Sequence, residues 1–374
     1  MSGDLHLVLD ARYVRVGPHD GISRYSAGIA AGLARLAAQD PSLRVELMVS
    51  DEAQRAHLPE LPWFRGPDPV SAGEVLTGQV LNRRCPDVVF SPMQTMGALR
   101  RRFGLILTLH DLIYYDHPAP PPELPAPVRL GWRAFHRASW PQRLALDRAD
   151  AVATVSETSA RLIRGRRLTN RPVHVIPNAA AQDRIRTAEE ALRRLPERGR
   201  SMVYLGSFMP YKDVDTLARA AARLPERELH LLSRVTDRQR EHLLEVAGPG
   251  AHLVFHGGVS EQEHARLLRE AGVLVHASRA EGYGLPLMEA FCAGTPVVCT
   301  DIPIFHEICG DAAAYCPPGD DAAFARAVAE LDDPQTARGR VLAGLERASS
   351  WTWGDSAARL VDLAAGIAQG RRAS

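Results

Sequence analysis

The chain has 374 residues, 45% hydrophobic and 24% charged, with a formal net charge of +1 at pH 7. That is the make-up of a globular protein with enough chain for two domains and a core in each. A balance this close to neutral excludes global attraction to nucleic acid, and no apolar run is long enough to span a bilayer.

Cys85, Cys292, Cys299, Cys309 and Cys316 form no C-x-x-C pair and have no histidine at finger spacing. They read as small core residues in a reducing compartment, so neither a disulfide framework nor a metal centre is expected. Met1 to Asp10 has no basic segment ahead of an apolar one, so no signal peptide is expected and the chain reads as cytoplasmic.

In chain order, apolar strand-like runs alternate with longer helical patterns, which predicts parallel sheets with crossover helices. The first half offers strands at Leu5–Leu9, Val45–Val49, Val88–Phe90, Leu105–Leu109, Ala151–Val155 and Val173–Ile176. The second offers Ser201–Leu205, Leu229–Leu232, Leu253–Phe255, Val273–Val275, Val297–Cys299 and Ala313–Tyr315. Pro177-Asn178 and the polar, arginine-rich stretch Gln182–Arg200 separate the two sets as a linker carrying a short helix, and Pro118–Pro127 reads as a surface loop. The chain closes on Trp351-Thr-Trp353 and an amphipathic helical pattern over Ala357–Ile367.

Open α/β sheets bind ligands beyond the carboxyl ends of their strands, so the residues there carry the functional argument. After the first strand, Asp10 to Tyr25 forms a glycine-containing loop that opens a helix near Gly21-Ile22-Ser23. It lacks the G-x-G-x-x-G spacing of a dinucleotide cofactor site. Leu105–Leu109 ends in His110-Asp111, a polar pair leaving an apolar strand. The first strand of the second half leads into Gly206-Ser-Phe-Met-Pro-Tyr-Lys212. Lys212 is the only lysine in the chain. A compact ammonium is not interchangeable with a guanidinium where one phosphate oxygen must be met as a point charge. Leu253–Phe255 leads to His256-Gly-Gly-Val-Ser260, where Ser260 and Glu263 have capping-box spacing.

The richest segment is Glu281-Gly-Tyr-Gly-Leu-Pro-Leu-Met-Glu289, which follows Val273–Val275. It predicts a strand, a glycine turn and a helix over Pro286–Ala293. Free backbone N–H groups and the positive end of the helix dipole make such a turn an anion site. The two carboxylates stand a little over two helical turns apart and can address different parts of one elongated ligand. A phosphate in the middle with hydroxyls at either end fits, and a nucleotide-sugar is such a molecule.

Glu281 to Glu289, continued by Ala290-Phe-Cys-Ala-Gly-Thr-Pro-Val-Val298, closely resembles the E-x7-E signature of the retaining glycosyltransferases of family GT4. The resemblance implies the GT-B fold: α/β, with two Rossmann-like, doubly wound parallel-sheet domains facing across a cleft. It also implies a last helix that crosses back, giving an N-terminal acceptor domain of residues 1–176 plus 355–374 and a C-terminal nucleotide-sugar domain of residues 177–354. Catalytic roles are implied for His110 beside the transferred sugar, for Lys212 on the departing diphosphate and for Glu281 on the donor sugar. Donor contacts are implied for Gly21 and Ile22, Ser207, Val259 beside the base, the turn Gly282, Tyr283, Gly284, Leu285 and Pro286, and Glu289 on the ribose. Ser156 and Asn178 also match family positions, though a helix cap and a hinge turn account for them equally well.

Two positions depart from the pattern. Tyr211 stands where arginine is common and Ser207 where some members carry arginine, so fewer side-chain cations surround the phosphates. Lys212, the N–H groups of Gly284 and Leu285, and an arginine of the first domain, Arg24 for instance, are expected to make up the field.

The leading expectation is transfer of a hexose, with retention, from a GDP- or UDP-sugar to a saccharide or lipid-linked acceptor. Mannose from GDP-mannose is the first choice, and no cofactor or metal is expected. A related phosphorylase or epimerase and a catalytically silent binding subunit are the alternatives. Arginines crowd the first half at Arg100–Arg102, at Arg129, Arg133 and Arg137, and across Arg161–Arg171. Solvated helix faces account for them, or a basic surface that docks peripherally on anionic lipid at the inner membrane face.

Overall fold

A computed structural model describes residues 4–17, 20–119, 126–180, 184–195 and 199–373. His19 and most of the predicted loop Pro118–Pro127 lie outside them. The chain divides into two compact units, Met1–Ala179 with Thr352–Ser374, and Ala180–Trp351.

The first unit is built on seven strands: β1 (Leu5–Asp10), β2 (Leu43–Val49), β3 (Trp63–Arg65), β4 (Val88–Ser91), β5 (Gly104–Thr108), β6 (Ala151–Thr154) and β7 (Val173–Val175). They form one sheet in the order β3-β2-β1-β4-β5-β6-β7. The second unit has β8 (Met202–Tyr204), β9 (Glu228–Leu231), β10 (His252–Phe255), β11 (Val273–His276), β12 (Val297–Thr300) and β13 (Ala313–Cys316), in the order β10-β9-β8-β11-β12-β13. All pairings are parallel.

Each sheet is doubly wound, and its strand order reverses once, at β1/β4 and at β8/β11. Central strands such as β4, β5, β11 and β12 are buried at every position. They therefore read in sequence as continuous apolar runs, not alternating ones. The strand the sequence did not reveal is β3. It has only three residues, follows Pro62 and pairs only with β2 at the sheet edge.

The C-terminal helix, Trp353–Ala373, belongs to the first unit and packs along the helix Gly21–Gln39. Glycines permit that approach. A Cβ on Gly28 would lie 2.2 Å from Trp353 Cε2, and one on Gly32 would lie 2.2 Å from the Trp353 carbonyl oxygen. Trp353 thereby meets the ring of Tyr25, whose hydroxyl donates to the Ile176 carbonyl at 3.1 Å. Ser356 Oγ donates to the Pro177 carbonyl at 2.7 Å, so the end of the chain ties down the segment that leaves β7.

Candidate functional site

In the second unit, β8 and β11 are neighbours at the point where strand order reverses. The loops leaving their carboxyl ends bring together the residues singled out from sequence. After β8 the chain runs through a short 3-10 turn, Pro210–Lys212, and Asp213 then takes a left-handed conformation (φ 48°) before the next helix. Asp and Asn are the non-glycine residues that tolerate this region best. After β11, Ser278 and Glu281 precede a turn at Gly284 (φ 102°), and the helix Leu285–Cys292 starts with Pro286 in its first turn. A Cβ at Gly284 would also crowd Phe305, 3.1 Å away, so the turn needs glycine on both counts.

Lys212 Nζ pairs with Glu281 Oε1, and both side chains are close to nine-tenths buried. Ser278 Oγ donates to the same oxygen at 2.9 Å, and His276 Nε2 stands 3.7 Å from it. Burial alone would raise the Glu281 carboxyl. The Lys212 ammonium, helped by His276 and Ser278, outweighs it and holds the group below its usual range, so it is ionised. Burial pushes the His276 imidazole down to about 4; Glu281 pulls it up and Lys212 pushes it further down. It is neutral near pH 7.

Arg279 locks the two loops together. Its backbone N–H donates to the Tyr211 carbonyl at 2.8 Å, and its guanidinium grips Asp213 at 2.8 and 3.0 Å. The arginine common in the family at position 211 is absent, and the ring of Tyr211 instead lies 5.3 Å from Lys212 Nζ. Ser207 is exposed on the same loop, where its carbonyl accepts from the Tyr204 hydroxyl at 2.7 Å.

Gly282, Tyr283 and Gly284 are buried, and Leu285 and Pro286 are half-buried at the helix start. Glu289, one turn on, has His264 Nε2 at 3.9 Å from its Oε2. Val259 follows β10, two strands away from β8, and is half-buried. Ser260 caps the next helix, accepting from Glu263 N–H at 3.2 Å. Its predicted reciprocal bond is not formed, because the Glu263 carboxylate is held by Arg266 at 2.6 and 2.9 Å instead.

The remaining candidates lie in the first unit. His110 leaves β5 half-buried, with Nε2 2.8 Å from the Pro92 carbonyl and its ring edge-on to Tyr25 at 5.1 Å. Nε2 must therefore carry the proton, which leaves Nδ1 as an acceptor. Burial lowers the His110 pKa, against smaller upward contributions from Pro92 and Asp20. Gly21 and Ile22 open the helix Gly21–Gln39, which Asp20 caps by accepting from Ser23 N–H at 2.8 Å. Ser156 caps the helix Glu157–Gly165 in the same way, and Asn178 is buried.

The loop before Gly21 is anchored by a buried ion cluster. Arg12 donates to both carboxylate oxygens of Asp10, at 2.7 and 2.9 Å, and to Glu74 at 2.5 Å. Gln54 Nε2 holds the Arg12 and Val14 carbonyls at 2.8 and 2.7 Å.

Sequence reasoning passed over His276, Ser278, His264 and Arg279. For His276 the signal existed: it ends an apolar strand, as His110 does. His264 and Arg279 sit on a helix and a loop with nothing local to mark them.

Many of the first unit's arginines prove to be clamps. Arg101 holds Asp150 and the Arg148 carbonyl, Arg164 the Val173 carbonyl, Arg166 Asp116, and Arg171 the Asp147 carbonyl. Arg100, Arg102 and Arg133 are exposed, and the Arg137 side chain lies outside the described residues. Among the described residues no helix is long and apolar enough to cross a membrane.

Residues 20–179 match the family described as "Glycosyl transferase 4-like domain", and residues 186–340 the family described as "Glycosyl transferases group 1". The chain is 28% identical over 265 residues to O-antigen chain mannosyltransferase B of Escherichia coli, covering 66% of each protein. It is 32% identical over 176 residues to phosphatidyl-myo-inositol mannosyltransferase of Mycolicibacterium smegmatis, covering 44% of this chain and 45% of that one. The chain thus spans between about half and two thirds of the length of the curated relatives it matches.

In fold it is similar to sucrose-phosphate synthase from Thermosynechococcus elongatus, with a TM-score of 0.74 at 19% identity over 99% of this chain and 100% of that one. It is also similar to Anabaena HepE in complex with UDP-glucose, with a TM-score of 0.66 at 16% identity over 98% and 99%. Two family matches in tandem along most of the chain, on two doubly wound parallel sheets of GT-B type, lead to one assignment: the chain belongs to the GT4-type glycosyltransferases.

Proposed function

We propose that the protein is a retaining hexosyltransferase that takes its sugar from a nucleoside diphosphate and passes it to a saccharide or lipid-linked acceptor. The observation that carries this reading is the Lys212–Glu281 pair, set at the β8/β11 reversal beside the first turn of the helix Leu285–Cys292. An ammonium and the N–H groups of a helix start are what a diphosphate leaving group requires. A carboxylate held ionised beside them suits sugar hydroxyls or the oxocarbenium-like charge of the transition state. Glu289 is assigned to the ribose hydroxyls, the loop around Val259 to the base, and Ser207 and the Gly282–Pro286 turn to the phosphates.

In the first unit, His110 with Nδ1 bare serves as a hydrogen-bond partner to the transferred sugar, while Gly21 and Ile22 line the approach of phosphate and acceptor. Transfer then runs on one face of the sugar. The bond from the anomeric carbon to the phosphate oxygen breaks as the acceptor oxygen bonds to that carbon, and the departing phosphate takes the acceptor's proton. No enzymic nucleophile is consumed, and Lys212 supplies the counter-charge without a protein-held metal. The relatives named as mannosyltransferases favour mannose, with GDP-mannose as the first donor to try, while the fold neighbour solved with UDP-glucose keeps UDP-sugars in the screen.

The test is thermal stability of the full chain against GDP, UDP, ADP and dTDP and their sugars, with no metal added. A ligand at a hundred times its dissociation constant adds about 2.7 kcal/mol to stability. Stabilisation by one nucleotide family identifies the base, and no shift with any of them rejects the reading.

Peripheral contact with anionic lipid is a second, separate part of the proposal. It is supported by exposed Leu130, Trp140 and Leu144 on the two helices Ala126–Arg137 and Trp140–Leu146, close in sequence to exposed Arg133. Binding to vesicles containing anionic phospholipid is expected to fall when Arg100 and Arg102 are both changed to Gln. Unchanged binding removes this part.

A further inference from the structure

We propose that His276 takes over the Glu281 carboxylate when Lys212 turns to the donor diphosphate, so that nucleotide binding draws a proton from solvent into the site. The proposal rests on the reading of Lys212 as the partner of the diphosphate.

The geometry around one oxygen carries the argument. Glu281 Oε1 is approached by Lys212 Nζ, by Ser278 Oγ at 2.9 Å and by His276 Nε2 at 3.7 Å. His276 is 1% exposed, and among the described residues neither of its ring nitrogens has a hydrogen-bond partner. A buried polar group left unpaired costs on the order of 1–3 kcal/mol, and such groups in native proteins call for an explanation. The ring is held in place by Tyr204 at 5.7 Å and by Phe305, edge-on at 5.4 Å. Packing therefore keeps Nε2 facing Glu281, one short movement outside hydrogen-bond range.

The imidazole idles because Lys212 occupies the carboxylate. A single ammonium cannot fully serve both Glu281 and a diphosphate. Once it moves, Glu281 would be left as a largely buried anion with only a serine hydroxyl, an arrangement that is strongly unfavourable. His276 is the one remaining group shown within 4 Å of that oxygen that can supply a charge.

The sign follows from the groups that face the ring. These are Glu281 from the turn, Lys212 from the β8 loop and Tyr204 from β8, with Phe305 as an uncharged wall. The Tyr204 hydroxyl is committed to the Ser207 carbonyl, and burial raises its own pKa further, so it stays neutral. Burial and Lys212 push the imidazole down, and Glu281 pulls it up. Withdrawing Lys212 removes one downward push and leaves Glu281 unopposed by a cation. The imidazole pKa is then higher with nucleotide bound than without. A group whose pKa rises on binding takes up a proton, and binding tightens as pH falls between its two values.

Calorimetry of GDP and UDP binding at pH 6, in two buffers of different ionisation enthalpy, counts the protons. Wild-type protein is expected to take up roughly half a proton more per nucleotide than His276→Gln. Its affinity should gain on the variant's as pH falls, approaching tenfold per pH unit. Any proton shed by the nucleotide itself is common to both proteins and cancels. Imidazole ¹⁵N spectra of Lys212→Met without nucleotide give an independent reading. The His276 signal, identified by its loss in His276→Gln or His276→Phe, should show an imidazolium at pH 6, where wild type shows a neutral ring.

Equal proton uptake in wild type and His276→Gln overturns the handover while leaving the donor site intact. If His276→Gln does not fold, a neutral His276 in Lys212→Met overturns it instead. Nucleotide affinity unchanged in Lys212→Met, or no nucleotide binding by wild type, defeats the reading of Lys212 and the handover with it.

Discussion

Lys212→Ala is expected to keep its fold and lose transfer activity by about 10²–10³-fold in kcat/KM, the usual effect of removing one preorganised charge donor from a developing anion. Every other basic side chain outside the histidines is arginine, yet this position kept lysine. The structure gives a reason. The ammonium fits between Glu281, to which it pairs, and the ring of Tyr211, 5.3 Å from its nitrogen. A planar guanidinium with its fixed fork of donors would engage Glu281 bidentately and be harder to release to a phosphate. Lys212→Arg should therefore recover only part of the loss, although it restores the charge.

Folding should survive the alanine change. Glu281 keeps the Ser278 hydroxyl and has His276 at hand, so the carboxylate is not abandoned. Glu281→Ala should likewise fold and lose most turnover. The measurement is donor-dependent release of nucleoside diphosphate by wild type and the three variants, alongside their thermal unfolding. Activity within a few-fold of wild type in Lys212→Ala would sink the assignment of the site.

The largest effect on stability is expected at Arg12, in the first unit. Arg12 and Asp10 have side chains with no solvent exposure, and Glu74 completes the cluster with a side chain 21% exposed. Arg12→Met strips the cation from a buried carboxylate, a change that costs about 3–5 kcal/mol. The backbone suffers too, because Gln54 reads the Arg12 and Val14 carbonyls and the loop toward Gly21 hangs from that grip.

Pairing Arg12→Met with Asp10→Leu should recover most of the loss, since a buried ion pair replaced as a whole by apolar groups is close to neutral. Glu74 retains enough exposure to find water. Trp63, Trp132, Trp140 and Trp353 all belong to the first unit and only Trp351 to the second, so urea unfolding followed by tryptophan fluorescence reports mainly on the unit concerned. A loss below about 1 kcal/mol in the single variant would show that the cluster does not carry the loop.

The sequence by itself determined the fold class, twelve of the thirteen strands among the described residues and the loops that hold the candidate site. The reason is local. Strands buried on both faces must be apolar throughout, and glycine or proline turns must follow them, so Val273–Val275 ahead of Glu281 and Ser201–Leu205 ahead of Lys212 announce themselves. β3 escaped because three edge residues after a proline carry no period. Lys212 stood out through its singularity and Glu281 through its spacing to Glu289, both properties of the linear chain.

Tertiary structure alone decided that β8 lies beside β11, which sets a lysine and a glutamate 69 residues apart against one another. It alone decided that His276 stands 3.7 Å from the carboxylate oxygen that Lys212 holds, that His264 stands by Glu289, and that Arg279 ties the two loops through Asp213. It also decided that Gly28 and Gly32 are a notch for Trp353 and not weak points in a helix. Apart from His276 and Glu281, these partners are distant in sequence. Their meeting depends on strand order and on how closely helices approach, and packing of the whole chain settles both where local propensity says nothing.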